Sequence, residues 1–168
     1  MKPLVSIIMG STSDLPVMEK AAKLLNDNKI PFEMNALSAH RTPDEVEKFA
    51  RGAAERGIKV IIAGAGMAAH LPGVIAAMTP LPVIGVPIKA TLDGMDALLA
   101  IVQMPPGIPV ATVGINGALN AGILAMQMLG VNNAEVYDKT VAYKASLKDK
   151  IVKANKELSQ VKYDYKTN

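Results

Sequence analysis

The residues best suited to chemistry are the adjacent pair His40 and Arg41, which fall on a short predicted turn. Residues 32–37 are typical of a strand, and Thr42 begins a helix capping-box pattern ahead of Pro43. A turn between a strand's carboxyl end and a helix's amino end is where α/β proteins bind ligands, and its free backbone N–H groups favour anions. An imidazole beside a permanent cation suits proton transfer on a phosphorylated small molecule. A turn histidine next to a solvated arginine is the alternative for this pair taken alone.

A second polar loop follows the first predicted strand, residues 4–9. Ser11 and Ser13 place two hydroxyls at the amino end of the next helix, where they can hold a phosphate without a lysine. Asp14 repels phosphate, so it either receives ribose hydroxyls or caps the helix. The loop matches neither a Walker A motif nor a dinucleotide-binding glycine motif.

A third loop, residues 64–69, contains only glycine and alanine apart from Met67, and His70 follows it. Exposed amides and small side chains can hold a flat ring or a small neutral molecule against the backbone. His70 is either catalytic or a buried histidine hydrogen-bonded to a carbonyl group. Because no carboxylates accompany His40 and His70 at metal-ligand spacing, we predict no metal site.

Five predicted strands alternate with helices along the chain, which predicts a parallel sheet with helices on both faces. The predicted strands are 4–9, 32–37, 58–63, 82–86 and 110–115. The predicted helices are 15–28, 43–56, 72–78, one capped at or just before Asp93 and ending near 102, and 118–129. We expect one catalytic domain over 1–168, with an α/β core to 131, a C-terminal helix over 132–163 and a frayed tail over 164–168.

The composition excludes several classes of protein. There is no cysteine among the 168 residues, which rules out disulfides and thiol catalysis. The net charge of +3 arises entirely within residues 135–168, and no basic face with interleaved aromatic residues suggests a nucleic-acid partner. The first residues lack the pattern of a signal peptide, so the expected compartment is the cytoplasm.

Two long tracts, residues 60–88 and 97–134, carry no Asp, Glu, Lys or Arg. Prolines interrupt both tracts, so neither offers the roughly 20 continuous apolar residues of a membrane helix. Burial between subunits explains them better, because a monomer of this size exposes much of its surface. We therefore expect a homo-oligomer, with an apolar stripe of the C-terminal helix lying on a neighbouring subunit.

Four motifs occur in an order that resembles a known family. They are M-G-S-x-S-D at 9–14, S-A-H-R-T-P at 38–43, A-G-A-G-x-A-A-H-L-P-G at 63–73 and I-V-Q-M-P at 101–105. Together they resemble the class I catalytic subunits of phosphoribosylaminoimidazole carboxylase, the N5-carboxyaminoimidazole ribonucleotide mutases of purine biosynthesis. The resemblance covers about residues 4–130.

The resemblance implies a flavodoxin-like three-layer fold, an octamer, and catalysis without cofactor or metal. The implied substrate carries a ribose phosphate and an aminoimidazole with a carboxylate on its exocyclic nitrogen, and the product carries that carboxylate on ring carbon C4. A functional link to the ATP-dependent synthetase of that substrate is also implied.

A stepwise route suits this reaction: CO2 leaves as the nitrogen is protonated, and C4 then captures the CO2 and loses its proton. His40 is the best candidate to give and then take that proton. Ser11, Ser13 and Arg41 are expected to grip phosphate, Asp14 the ribose, and residues 65–69 the CO2, while His70 positions the ring or carboxylate. The expected catalytic residues are His40 and His70, and the expected binding residues are Ser11, Ser13, Asp14, Ser38, Arg41, Ala65, Gly66, Met67 and Ala68.

The chain departs from the class I pattern at three places. Met67 stands where a second glycine is usual, Lys89 lies in a variant loop and can face ligand or solvent, and Pro106 replaces a more usual Arg or Gly. The alternatives are a class II carboxylase that adds free CO2 to aminoimidazole ribonucleotide, and a non-catalytic nucleotide-sensing module. Flavin binding is a further possibility by fold analogy, but the chain has no Trp and few aromatic residues to stack on a flavin.

Overall fold

A parallel five-stranded sheet forms the central layer of the computed structural model, which describes residues 2–168. The strands are β1 (Val5–Met9), β2 (Phe32–Ala36), β3 (Val60–Gly66), β4 (Val83–Ile88) and β5 (Ala111–Thr112). Their order across the sheet is β2-β1-β3-β4-β5, and every neighbouring pair is parallel. Met1, the first residue of the predicted domain, lies outside the described residues.

Six helices cover both faces of the sheet. They are α1 (Leu15–Asp27), α2 (Pro43–Gly52), α3 (Leu71–Ala76), α4 (Met95–Val102), α5 (Ala118–Gly130) and α6 (Ala134–Ser159), and a short 3-10 turn over Thr12–Asp14 precedes α1. One apolar core joins α1, α5 and the start of α6 to the sheet, and a second core joins α2, α3 and α4 to the opposite face. The predicted three-layer α/β architecture is confirmed.

The central strands β1, β3 and β4 are buried and almost entirely apolar, as is typical of strands covered by helices on both faces. All five residues of β1 are buried, including Ser6, whose hydroxyl donates to Glu33 at 3.0 Å. Close packing also fixes the spacing of α1 on β3, since a Cβ at Gly64 would lie 2.4 Å from the sulfur of Met18. The sheet is therefore a rigid platform for the loops at its edges.

The largest differences from the sequence prediction concern β3, β5, α2 and the C-terminal helix. The helix predicted over 132–163 is α6, which ends at Ser159. β3 runs on to Gly66, past the predicted end at Ala63, because it keeps pairing with the last residues of β4. β5 has only two residues, where a strand over 110–115 was expected. The helix predicted over 43–56 ends as α2 at Gly52, and a turn covers the remaining residues.

Two predicted helix caps are wrong. Thr42 makes no cap hydrogen bond to α2, because its Oγ1 accepts from the Ser38 N–H at 2.9 Å and donates to the Ser38 carbonyl at 3.1 Å. The cap of α4 is Gly94, with a φ of +87°, and Asp93 before it also has a positive φ of +55°. At Thr42, local side-chain competition for the backbone overrides the simple capping pattern. At the start of α4, the Asp93 carboxylate pairs with Lys89 at 2.9 Å.

The C-terminal helix α6 divides into two parts. Val136 is buried against the core that includes α5, and Tyr143 packs partly onto it. Beyond them the apolar side chains of Leu147, Ile151 and Leu158 are exposed. No helix in the described part of the chain is both long and apolar enough to cross a membrane.

Candidate active site

A cavity of about 460 Å³ opens at the carboxyl edge of the sheet, where the loops after β1, β2, β3 and β4 meet. We call its β1–β2 side the polar half (residues 10–14 and 38–41) and its β3–β4 side the apolar half (residues 65–68 with Leu71 and Ala90). The lining residues are Gly10, Ser11, Ser13, Asp14, Ser38, Ala39, His40, Arg41, Ala65, Gly66, Met67, Ala68, Leu71 and Ala90. The structure thus brings together every sequence-predicted site residue except His70, which lies beside the cavity.

The loop after β1 is held by its own hydrogen bonds. The backbone N–H of Ser11 donates to Asp14 Oδ2 at 3.2 Å, and the N–H of Ser13 donates to Ser11 Oγ at 3.3 Å, which together form a capping box. Partial burial raises the pKa of Asp14 above its ordinary value, against the opposing effect of hydrogen bonds and of Arg41. Asp14 therefore belongs to the capping box of the 3-10 turn and makes no side-chain cap hydrogen bond to α1, so the predicted cap is found one turn before that helix. Its second carboxylate oxygen takes no part in the capping box.

Arg41 ties the two loops of the polar half together. Its Nη2 donates to the carbonyl of Gly10 at 2.8 Å, which crosses from the β2 loop to the β1 loop. Its Nε and backbone N–H both donate to Ser38 Oγ, at 3.3 and 3.2 Å. The guanidinium is therefore fixed beside the serine hydroxyls, where a phosphate can receive charge-assisted hydrogen bonds.

His40 and His70 form a direct side-chain contact. His40 Nε2 lies 2.8 Å from His70 Nδ1, and the rings meet edge to face with centroids 5.0 Å apart. A hydrogen bond at this distance needs a proton on one nitrogen and a lone pair on the other, so each ring sets the tautomer of the other. The alternative of His70 as a buried histidine bonded to a carbonyl is wrong, because its ring is exposed and pairs with His40.

The loop after β3 is built from backbone and small side chains, with one exception. Met67 lines the cavity with a φ of +56°, a left-handed conformation that costs a side chain about 1–2 kcal/mol and costs a glycine almost nothing. Two tight turns fix this backbone: Ala69 N–H donates to the Met67 carbonyl and His70 N–H to the Ala68 carbonyl, both at 2.8 Å. Met67 is also 57% exposed.

Sequence reasoning missed part of the apolar half. Ala90, after β4, lies beside Gly66, where an added Cβ would come within 3.4 Å of its side chain. Lys89 does not line the cavity; it pairs with Asp93 at 2.9 Å. Pro106 is likewise no part of the lining. The missing signal was strand order, since only the adjacency of β3 and β4 brings Ala90 to the site. Gly10, Ala39 and Leu71 were also missed.

Residues 2–168 contain no cluster of three or more His, Cys, Asp or Glu side chains that could hold a metal ion. The titratable groups that line the cavity are Asp14, His40 and Arg41. The chemistry available from these side chains is anion binding and proton transfer.

An α/β fold with a polar, arginine-containing cavity and an imidazole pair at the carboxyl edge of its sheet is typical of enzymes that act on small molecules. The sequence profile of AIR carboxylase matches residues 4–150. The chain belongs to the AIR carboxylase family.

Relatives of known name cover most of the chain. The N5-carboxyaminoimidazole ribonucleotide mutase of Pyrococcus abyssi is 60% identical over 147 residues, which is 87% of this chain and 84% of that protein. The phosphoribosylaminoimidazole carboxylase of Candida glabrata is 55% identical over 164 residues, or 97% of this chain and 29% of that longer protein. The crystal structure of Treponema denticola PurE matches with a TM-score of 0.83 and 29% identity, covering 94% of this chain and 99% of that one.

Proposed function

We propose that this chain is an N5-carboxyaminoimidazole ribonucleotide mutase, an isomerase of purine biosynthesis. It moves a carboxylate from the exocyclic nitrogen of an aminoimidazole ribonucleotide to ring carbon C4. The Pyrococcus abyssi mutase, which matches nearly the whole chain, supports the activity. The cavity supports the chemistry, because it joins an anion-binding half to a half with small, uncharged side chains.

The proposed reaction has two proton transfers. The N–CO2 bond breaks as His40 protonates the nitrogen, which leaves aminoimidazole ribonucleotide and CO2 in the cavity. C4 then attacks the CO2, and His40 takes the C4 proton to restore the aromatic ring. The same imidazole ends in its starting state, as a group that first donates and then accepts must.

The observation that carries this proposal is the 2.8 Å contact between His40 Nε2 and His70 Nδ1 at the cavity wall. His40 lines the cavity and His70 stands beside it, so His70 acts through His40 by holding its orientation and tautomer. We therefore assign proton transfer to His40 and a positioning role to His70. The sequence-based prediction that His70 contacts the substrate ring or carboxylate is not included in this assignment.

The binding roles follow the two halves of the cavity. Arg41 supplies the cation for the phosphate, with Ser11 and Ser13 as hydroxyl donors, and Ser38 holds the guanidinium in place. The free oxygen of Asp14 receives a ribose hydroxyl. Ala65, Gly66, Met67 and Ala68 enclose the CO2 between the two chemical steps, which is a proximity effect. The reaction needs no metal or organic cofactor in this scheme.

A carboxylase is the second candidate, favoured by the Candida glabrata relative of that name. A carboxylase adds free CO2 to aminoimidazole ribonucleotide, whereas a mutase takes CO2 from its own substrate. Purified protein is assayed with each nucleotide, with and without bicarbonate. Conversion of the carbamate nucleotide without bicarbonate supports the mutase, and conversion of aminoimidazole ribonucleotide alone, dependent on bicarbonate, supports the carboxylase.

We further propose a cytoplasmic homo-oligomer, an octamer by family resemblance, that receives its substrate from an ATP-dependent synthetase. Residues 1–131 are its catalytic core, and residues 132–163, which contain α6, are its assembly segment, followed by a short tail. Apolar side chains exposed within the uncharged tracts support assembly. They include Leu99, Val102 and Leu119. Sedimentation or light scattering of the full chain measures the subunit number.

A further inference from the structure

Met67 is the one residue of the β3 loop over 64–69 whose side chain is longer than a methyl group. Its neighbours in the lining, Ala65, Gly66 and Ala68, offer the cavity little beyond backbone atoms. Any cover that this loop provides over the apolar half must therefore come from the Met67 side chain.

The backbone of Met67 adopts a conformation that is costly for a residue with a side chain. Its φ of +56° lies in the region that favours glycine, and the tight turns over Met67 to His70 hold the loop there. Strained residues of this kind persist where the surroundings fix them, and they cluster at ligand sites. The backbone conformation sets the course of the loop. The side chain adds a flexible, apolar thioether that can move out of the cavity and return.

We propose that the Met67 side chain is the cover that retains CO2 between the two chemical steps. This inference rests on the proposed function, because it concerns the interval after the N–CO2 bond breaks and before the C4–CO2 bond forms. CO2 has no charge and little hydrogen-bonding capacity, so apolar enclosure holds it better than any polar group of the opposite half. Met67 moves when the nucleotide enters and closes the apolar half once it is bound.

The proposal predicts where escape occurs. Truncation of Met67 leaves the His40–His70 pair and the polar half unchanged, so nucleotide binding and proton transfer continue. What changes is the fraction of turnovers in which CO2 leaves before C4 captures it. Each escape releases free aminoimidazole ribonucleotide, and bulk CO2 can replace the CO2 that was lost.

The test supplies the unlabelled carbamate nucleotide to the full-length enzyme in buffer with isotopically labelled bicarbonate and carbonic anhydrase. The two readouts are label in the C4 carboxylate and free aminoimidazole ribonucleotide per turnover. We expect Met67→Ala to raise both several-fold over wild type with KM little changed. Met67→Leu, which restores the bulk at the same backbone conformation, returns both towards wild type.

Leu92 provides the matched control. It also has a positive φ, +46°, and it is 75% exposed in the loop after β4, but it does not line the cavity. Leu92→Ala should leave both readouts at the wild-type level.

Three outcomes overturn the inference. Equal escape from wild type and Met67→Ala overturns it while the mutase activity stands. Equal increases in Met67→Ala and Leu92→Ala also overturn it, since the effect is then one of loop disturbance. If the wild-type chain does not convert the carbamate nucleotide at all, both the proposed function and this inference are wrong.

Discussion

The two halves of the cavity are built by different means. The polar half is fixed by side-chain hydrogen bonds, above all those from Arg41 to Gly10 and Ser38. The apolar half is fixed by backbone: strand pairing carries β3 to Gly66, and tight turns follow at Met67. Charged ligand groups need directed donors, whereas a small neutral molecule is better held by an apolar surface without charged groups. The comparison shows one sheet edge serving both needs through neighbouring loops.

Removing the proton-transfer group of the polar half should have the largest effect. His40→Asn removes the proton-transfer group, so we expect kcat to fall by about 10²–10⁴-fold, the usual contribution of general acid–base catalysis. Nucleotide binding and the oligomer should be preserved, as measured by calorimetry and light scattering. A His40→Asn enzyme with full activity contradicts the assignment.

His70→Asn is the companion variant: we expect a smaller fall in kcat and an altered pH profile.

Weakening the polar half should act on binding. Arg41→Met removes the fixed cation, so we expect KM to rise about 10–100-fold, as for a lost charge-assisted hydrogen bond. The readout is steady-state kinetics, and kcat should change much less. Arg51→Met is the matched control, because Arg51 is exposed on α2, away from the cavity, and pairs with Glu47 at 2.7 Å. Unchanged KM with a large loss of kcat argues against the gripping role.

Crowding the strand beneath the apolar half should act on stability. In Gly64→Ala the new methyl lies 2.4 Å from the sulfur of buried Met18, so we expect a loss of about 1–3 kcal/mol from overpacking. Denaturant unfolding measures it. Gly114→Ala has nothing within 4 Å of its new methyl and should be nearly neutral. If the two variants have the same free energy of unfolding, the close packing of α1 on β3 does not determine which residues position 64 accepts.

The smallest expected effect concerns Asp14 in the polar half. Because burial raises the pKa of Asp14, the folded chain holds this proton more tightly than the unfolded chain does. Stability therefore falls as pH rises from the ordinary value of 3.8 through the raised folded value. Asp14→Asn, which can still accept from Ser11, should flatten this slope in unfolding experiments across that range. Asp44→Asn, an exposed residue of α2, is the control, and an unchanged slope in Asp14→Asn counts against the burial effect.

Most of both halves was predictable from the sequence, and the residues missed were Gly10 and Ala39 in the polar half and Leu71 and Ala90 in the apolar half. Ser11 and Asp14 follow β1 and Arg41 follows β2, so their convergence at one edge follows from parallel strand direction. Ala90 reaches the cavity only because β4 lies beside β3, which periodicity does not reveal. The His40–His70 contact spans thirty residues and depends on the path of both loops.

Errors in element boundaries have local physical causes. The sequence 64–66 looks like a glycine loop, yet β4 supplies hydrogen-bonding partners that keep it extended. Thr42 has the right type for a cap, but Ser38 offers its Oγ1 nearer partners. Propensity describes the local preference of a residue by itself. The conformations of these residues are instead determined by hydrogen bonds to neighbouring residues.

The division of α6 separates two tasks within a single helix. Its opening turns belong to the fold of their own chain, since Val136 and Thr140 are buried there. Its later turns hold apolar side chains such as Ile151, 65% exposed, clear of that fold. If the proposed assembly uses this surface, loss of the later turns removes exposed apolar side chains without opening the interior, and we expect weaker self-association from a catalytic core that keeps its fold.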